Sequence, residues 1–152
     1  IVDDELFNLQ GMLIVLNASA RQLDNQDLVI DEVVDLASDG QQALDKVKER
    51  YSRQGLRYDL IITDISMPIL EATSPQNNKE FYSDKFIEQP VIIACSGHTE
   101  KSYIDKAWKN GIDEFMSKPL KIELMKEILQ EFVNKIDYII SFNAHIRGFG
   151  VL

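Results

Sequence analysis

The sequence predicts an α/β domain, a parallel sheet with helices on both faces. Two short apolar runs, Leu60-Ile61-Ile62 and Val91-Ile92-Ile93, have the composition of strands buried on both sides. Elsewhere apolar residues recur at three- and four-residue steps, the mark of helices with one buried face. The two patterns alternate along the chain, which is the order of repeated βα units.

Taken in order, Ile1-Val2-Asp3-Asp4 reads as the end of a first strand whose beginning is missing, as in a fragment or excised domain. Leu6, Leu9, Met12, Leu13 and Leu16 would line one face of a first helix over Glu5 to Leu16. Asn17 to Asp31 is polar and turn-rich, so a helix end and a loop are expected there. Val33 to Ala37 is expected as a second strand, less purely apolar because of Asp35. Ser38 and Gln41 have the spacing of a capping box. The helix they open would bury Ala43, Leu44, Val47 and Tyr51 and stop at Gly55.

Tyr58 to Pro68 carries the third strand, with Asp64 where the strand stops and Pro68 barring its continuation. Pro68 to Gln89 is the least orderly stretch. Pro75, Asn77 and Asn78 break any long helix there, so the third helix is expected to be irregular, with Glu80 to Ile87 able to form a short piece. Val91 to Cys95 is the fourth strand, followed by Ser96-Gly97-His98. Tyr103, Ile104, Ala107 and Trp108 share one side of a fourth helix that ends near Asn110-Gly111, and Trp108 is read as packing. Ile112 to Met116 is a fifth strand leading to Lys118-Pro119. Leu124, Met125, Ile128, Leu129, Phe132, Val133 and Ile136 make the stripe of a fifth helix. The domain is expected to span residues 1–136, with 137–152 as a helix extension or frayed tail.

Composition narrows the function. A chain of 152 residues suits one domain with a real core, and 45% hydrophobic with 27% charged residues is ordinary for a globular protein. The net charge of −9 argues against a nucleic-acid face, which needs clustered Lys and Arg. No apolar run is long enough to span a membrane and no signal peptide is visible, so no membrane contact and a cytoplasmic location are expected. The lone Cys95 excludes an internal disulfide and reads as a small buried residue. Neither GxGxxG nor GxxxxGK[ST] occurs, which makes dinucleotide and P-loop sites poor candidates.

Placed on this topology, the polar residues fall on one edge. Asp3 and Asp4 follow the first strand, Asp64 the third, Ser96 the fourth and Lys118 the fifth. Ligands of open α/β sheets bind beyond the carboxyl ends of the strands. Three carboxylates brought together repel unless a cation neutralises them, and Mg²⁺ is held by few carboxylates and several waters. A Lys and a hydroxyl beside them can stabilise a transferring phosphoryl group. Each residue alone has a plainer reading. Adjacent acids after a strand are often a solvated turn, and a lone Ser or His in a loop often faces solvent.

At IVDDE, DLIITDISMP, IIACSG and EFMSKP the chain resembles the receiver domain of two-component response regulators and hybrid histidine kinases, over roughly Ile1 to Ile136. The resemblance implies a flavodoxin-like (βα)5 fold with strand order 2-1-3-4-5. It implies Asp64 as phosphoacceptor in a His-to-Asp phosphorelay, taking its phosphoryl group from a histidine kinase or histidine phosphotransfer domain. Asp4, Asp64 and the carbonyl of Ser66 match the direct Mg²⁺ ligands, and Asp3 the acid that acts through water. Ser96 matches the hydroxyl that binds the phosphoryl oxygen and Lys118 the ion-pairing lysine, with a cis Lys118-Pro119 bond. Phe115 matches the switch aromatic, and Lys101 to Ile136 (fourth helix, fifth strand, fifth helix) the output face. After Met67-Pro68 the chain departs from the family: Ile69-Leu70-Glu71 stands where an acid and a Gly are usual.

Three functions are compatible with these residues. The first is a phosphoacceptor module of a phosphorelay, read as the C-terminal receiver of a hybrid kinase. The second is a receiver-like interaction domain without phosphate cycling. The third is a phosphohydrolase with Asp64 as nucleophile. Hydrolases of the haloacid dehalogenase type carry a second acid two residues after the nucleophile, where this chain has Ser66, so turnover of external substrates is not expected. His98 and Ser66 could flank the phosphoryl group and set its lifetime.

Overall fold

The computed structural model describes residues 1–23, 28–67, 89–97, 100–109 and 111–148. Three strands form the continuous part of the sheet: β1 (Leu60–Asp64), β2 (Val91–Ser96) and β3 (Glu114–Ser117), all parallel, with β2 in the middle. Leu60 lies opposite Val91, and Ile93 opposite Glu114. The first and second strands expected from the sequence are reduced to single bridges. Val2 bridges Thr63 on one side and Ala37 on the other, both in parallel. The order across the molecule is therefore Ala37, Val2, β1, β2, β3, which follows 2-1-3-4-5. β2 is buried from Ile92 onwards, as its unbroken apolar run requires.

Helix α1 (Leu6–Ala20) runs four residues beyond its expected end. Leu9, Met12 and Leu16 enter the core, while Leu6, expected on the same face, is 66% exposed at the open first turn. Next, α2 (Ile30–Val33) is one turn where a loop and the start of a strand were expected. The Val34 N–H bonds the Ile30 carbonyl, which closes that turn, and bonding to the first strand begins at Asp35, whose carbonyl accepts from the Ile1 amino group at 2.8 Å. Ile30 itself is buried and anchors the turn.

Helix α3 (Gly40–Gln54) starts one residue later than the capping box predicts. Asp39, with extended backbone, is the cap: its carboxylate accepts from Gln42 N–H at 2.7 Å. Gln42, not Gln41, reaches back and accepts from Ser38 N–H at 2.8 Å. Gly55 ends the helix at φ 64°, a left-handed conformation that costs glycine nothing.

Helix α4 spans Lys101–Lys109 and α5 spans Ile122–Gly148. Ala107 is buried, but Trp108 is 47% exposed and so is not the packing residue expected. The fifth strand comes two residues later than its apolar pattern suggests, because Asp113 is used otherwise. Its N–H bonds the Ile92 carbonyl and its carboxylate accepts from Ile92 N–H. Met125, Leu129 and Val133 of α5 pack in one core cluster with Leu9, Met12 and Leu16 of α1, and Leu124 is left 41% exposed. The Ser19 hydroxyl contacts the Ile122 carbonyl at 3.0 Å and ties the two helices together. The α5 helix continues without interruption past Ile136 to Gly148.

A second cluster, with Ile92, Ala94, Ala107 and Ile112, fills the other side of the sheet, so helices cover both faces. Among the described residues no helix is long and apolar enough to cross a membrane. The expectations for the third helix over Ile69 to Glu88, and for His98, lie outside the described residues.

Candidate functional site

Parallel strands leave their carboxyl ends on one edge of the sheet, and that edge gathers the polar residues. The bridges of Val2 to Ala37 and Thr63 deliver Asp3 and Asp4 there. Asp64 closes β1 and Ser96 closes β2. Lys118 follows β3 and is fixed by its N–H, which donates to the Ser96 carbonyl at 2.8 Å. The Lys118-Pro119 peptide is cis.

Asp3 is completely buried, Asp64 is 6% exposed and Asp4 faces solvent. One carboxylate oxygen from each lies within 4.8 Å of the others. Lys118 Nζ donates to Asp3 Oδ2 at 2.7 Å and stands 3.4 Å from Asp64 Oδ2. Burial is the strongest single influence on Lys118 and opposes its charge. The hydrogen bond to Asp3, with the charges of Asp64 and Asp3, outweighs it, so the ammonium titrates above its ordinary value.

The second oxygen of Asp3 is also engaged. Oδ1 accepts from the Glu5 N–H at 2.9 Å and from the Asn8 side-chain amide at 3.0 Å. The first bond closes an Asx-turn at the entry to α1. The Asn8 amide also reaches Glu5 Oε2 at 3.3 Å. Nothing in the motifs points to Asn8; the one signal is a carboxamide on the first turn of a helix, five positions after a buried acid. Asp64 Oδ1 accepts from the Ser66 N–H at 3.2 Å, so Ser66 meets Asp64 through its backbone while the residue itself is exposed.

Ser96 is fully buried, one step beyond Cys95, the register partner of Asp64. Cys95 is buried too. Burial, opposed by Lys118 and helped by Asp64 and Asp3, pushes its thiol up to about 12, so it is no nucleophile at neutral pH. Phe115 is half-buried, pairs in register with Ala94 and packs with Ile65, Ala107 and Ile112. The structure thus brings Asp3, Asp4, Asp64 and Lys118 into direct contact range, and places Ser96 and Phe115 on neighbouring strands.

Residues 1–130 match the family model of the response regulator receiver domain. The chain belongs to this family. As a receiver it is 37% identical over 101 residues to the osmosensing histidine protein kinase SLN1 of Saccharomyces cerevisiae, covering 66% of this chain and 8% of that protein. It is 30% identical over 101 residues to hybrid signal transduction histidine kinase M of Dictyostelium discoideum, covering 66% of this chain and 4% of that protein. The receiver therefore spans less than a tenth of either kinase. In fold it resembles a chain of the CheX-CheY-BeF3-Mg+2 complex from Borrelia burgdorferi. That match has a TM-score of 0.58 and 23% identity, covering 89% of this chain and 85% of that one. The receiver's fold is the flavodoxin-like, CheY-like one.

Proposed function

We propose that this receiver domain accepts a phosphoryl group on Asp64 from a phosphohistidine, as one step of a His-to-Asp phosphorelay. The observation that carries the reading is the position of Lys118 Nζ, 2.7 Å from Asp3 and 3.4 Å from Asp64. A cation there neutralises charge that would otherwise build up on the oxygens of a phosphoryl group arriving at Asp64. In the transfer, an Asp64 oxygen forms the new bond to phosphorus while the P–N bond breaks. The electron pair leaves with the imidazole, and an acyl phosphate remains on the receiver.

The donor set fits Mg²⁺. Three carboxylates against one ammonium leave two negative charges, and each acid offers a carboxylate oxygen as the ligand atom. Asp4 and Asp64 would hold the ion directly, with the Ser66 carbonyl as a further donor and Asp3 acting through water. Bound there, Mg²⁺ would neutralise phosphoryl oxygens. The fold relative from Borrelia burgdorferi, described as a complex with BeF3 and Mg+2, supports the choice of ion.

Ser96 takes the role of the hydroxyl that receives a phosphoryl oxygen, and Phe115 that of the residue that changes packing when it does. The donor is a histidine kinase or a histidine phosphotransfer domain. The receiver comprises residues 1–136, belongs to a longer hybrid kinase and passes its state on through α4, β3 and the first turns of α5. Turnover of external substrates is not part of this reading.

Acetyl phosphate with Mg²⁺ tests it. Intact-protein mass spectrometry is expected to show one added phosphoryl group on the wild type and none on Asp64→Asn. An unlabelled wild type would point instead to a receiver-like interaction domain, and sustained phosphate release to a hydrolase.

A further inference from the structure

We infer that Asn8 is a positioning residue for phosphoryl transfer, acting through Asp3 on Lys118. The inference rests on the phosphoacceptor reading of Asp64. Asp3 is 0% exposed, so the orientation of its carboxylate is set by its partners and not by water. Lys118 lies on Oδ2; Glu5 N–H and the Asn8 amide lie on Oδ1. The Glu5 bond comes from the backbone two residues on and fixes only where Oδ1 sits. Asn8 approaches from the first turn of α1 and adds a second direction, which determines the plane of the carboxylate. With the plane set, Oδ2 faces Nζ, and Nζ is held between Asp3 and Asp64. A chain of directional contacts thus runs from α1 to the reacting acid: Asn8, Asp3, Lys118, Asp64.

The same two contacts limit what Asp3 can do for a cation. A carboxylate that already accepts two N–H bonds on one oxygen and an ammonium on the other has little capacity left for direct ligation. Asn8 keeps Asp3 committed to Lys118 and leaves Asp4 and Asp64 as the acids open to the ion. The prediction is a separation of effects: losing the Asn8 donor disturbs the phosphoryl-transfer step much more than Mg²⁺ binding.

Asn8→Leu tests this, because it keeps the branched shape, removes the donor and raises helix propensity. A purely structural role would show in the thermal midpoint. A positioning role shows in the rate of acetyl phosphate labelling at saturating Mg²⁺, expected to fall about tenfold, since small misplacements of a positioning group carry losses of that order or more. The Mg²⁺ dissociation constant, from calorimetry without a phosphodonor, is expected to change less than threefold. A slowly exchanging Lys118 ammonium signal in ¹H–¹⁵N spectra of the wild type is expected to vanish in the variant. Glu5→Gln, which leaves the Asn8–Asp3 bond in place, is expected to label within twofold of the wild-type rate. If Asn8→Leu fails to fold, Asn8→Ala takes its place. Unchanged labelling with a retained ammonium signal overturns the proposal, as does an equal loss in Glu5→Gln. A wild type that is never labelled sinks the phosphoacceptor reading instead, while the ammonium signal still reports on Asn8.

Discussion

Lys118 is the residue on which the charge balance of the site depends. Removing its ammonium leaves Asp3 buried beside Asp64 with no counter-charge. Lys118→Met is expected to lower stability by roughly 3 kcal/mol, the scale for stranding a buried charge, as measured by urea unfolding at neutral pH. The pH dependence follows from the raised value of the folded-state ammonium. Its contribution is complete below the ordinary lysine value of 10.5 and is lost as pH rises through the higher folded value. Wild type should therefore lose stability as pH rises above 10.5 more steeply than Lys118→Met, and parallel curves would contradict this account. Asp3, Asp4, Asp64, Ser96 and Lys118 were legible in the sequence because each follows an apolar run that ends a strand. Asn8 was not, because its significance lies in a carboxylate orientation that no spacing encodes.

At the scale of elements, the start of α3 decides between two neighbouring caps. Ser38 and Asp39 are both good capping types, and spacing alone favours Ser38 with Gln41. In the folded chain Asp39 is the residue whose backbone leaves the helix, and its carboxylate takes the Gln42 N–H. Asp39→Ala is expected to cost about 1 kcal/mol in chemical unfolding, and Ser38→Ala a few tenths at most, because only the Ser38 N–H is used. The reverse ranking would restore the cap expected from the sequence. Similar limits explain the other differences. Periodicity identifies the buried face of a helix but not how far the neighbouring structure covers its ends. Leu6 at the open start of α1, and Trp108 at the close of α4, are exposed for that reason. The pairing of the outer strands was legible as order but not as extent, since the turn at Ile30–Val33 takes Val33, the first residue of the expected second strand, and commits the Val34 N–H to the Ile30 carbonyl.

Across the whole molecule, β2 is the axis. Cys95 lies in it, 0% exposed, between β1 and β3. With its thiol pushed up to about 12 by burial, it is both shielded and protonated. Its modification by an excess of a thiol reagent at pH 8 is expected to follow global unfolding: the labelling rate should rise with urea in step with the unfolding equilibrium, and fast labelling without denaturant would mean that the sheet opens locally.

The length of α5 has a mechanical consequence. Its 27 residues form a rod of about 40 Å at 1.5 Å per residue. The rod begins at Ile122, four positions after Lys118, where the Ser19 hydroxyl ties it to α1. A rod of that length pivoting at Ile122 by one degree moves its Gly148 end by about 0.7 Å. A rearrangement around Lys118 too small to disturb the core would thus become, at the far end of the helix, a displacement large enough for another molecule to feel.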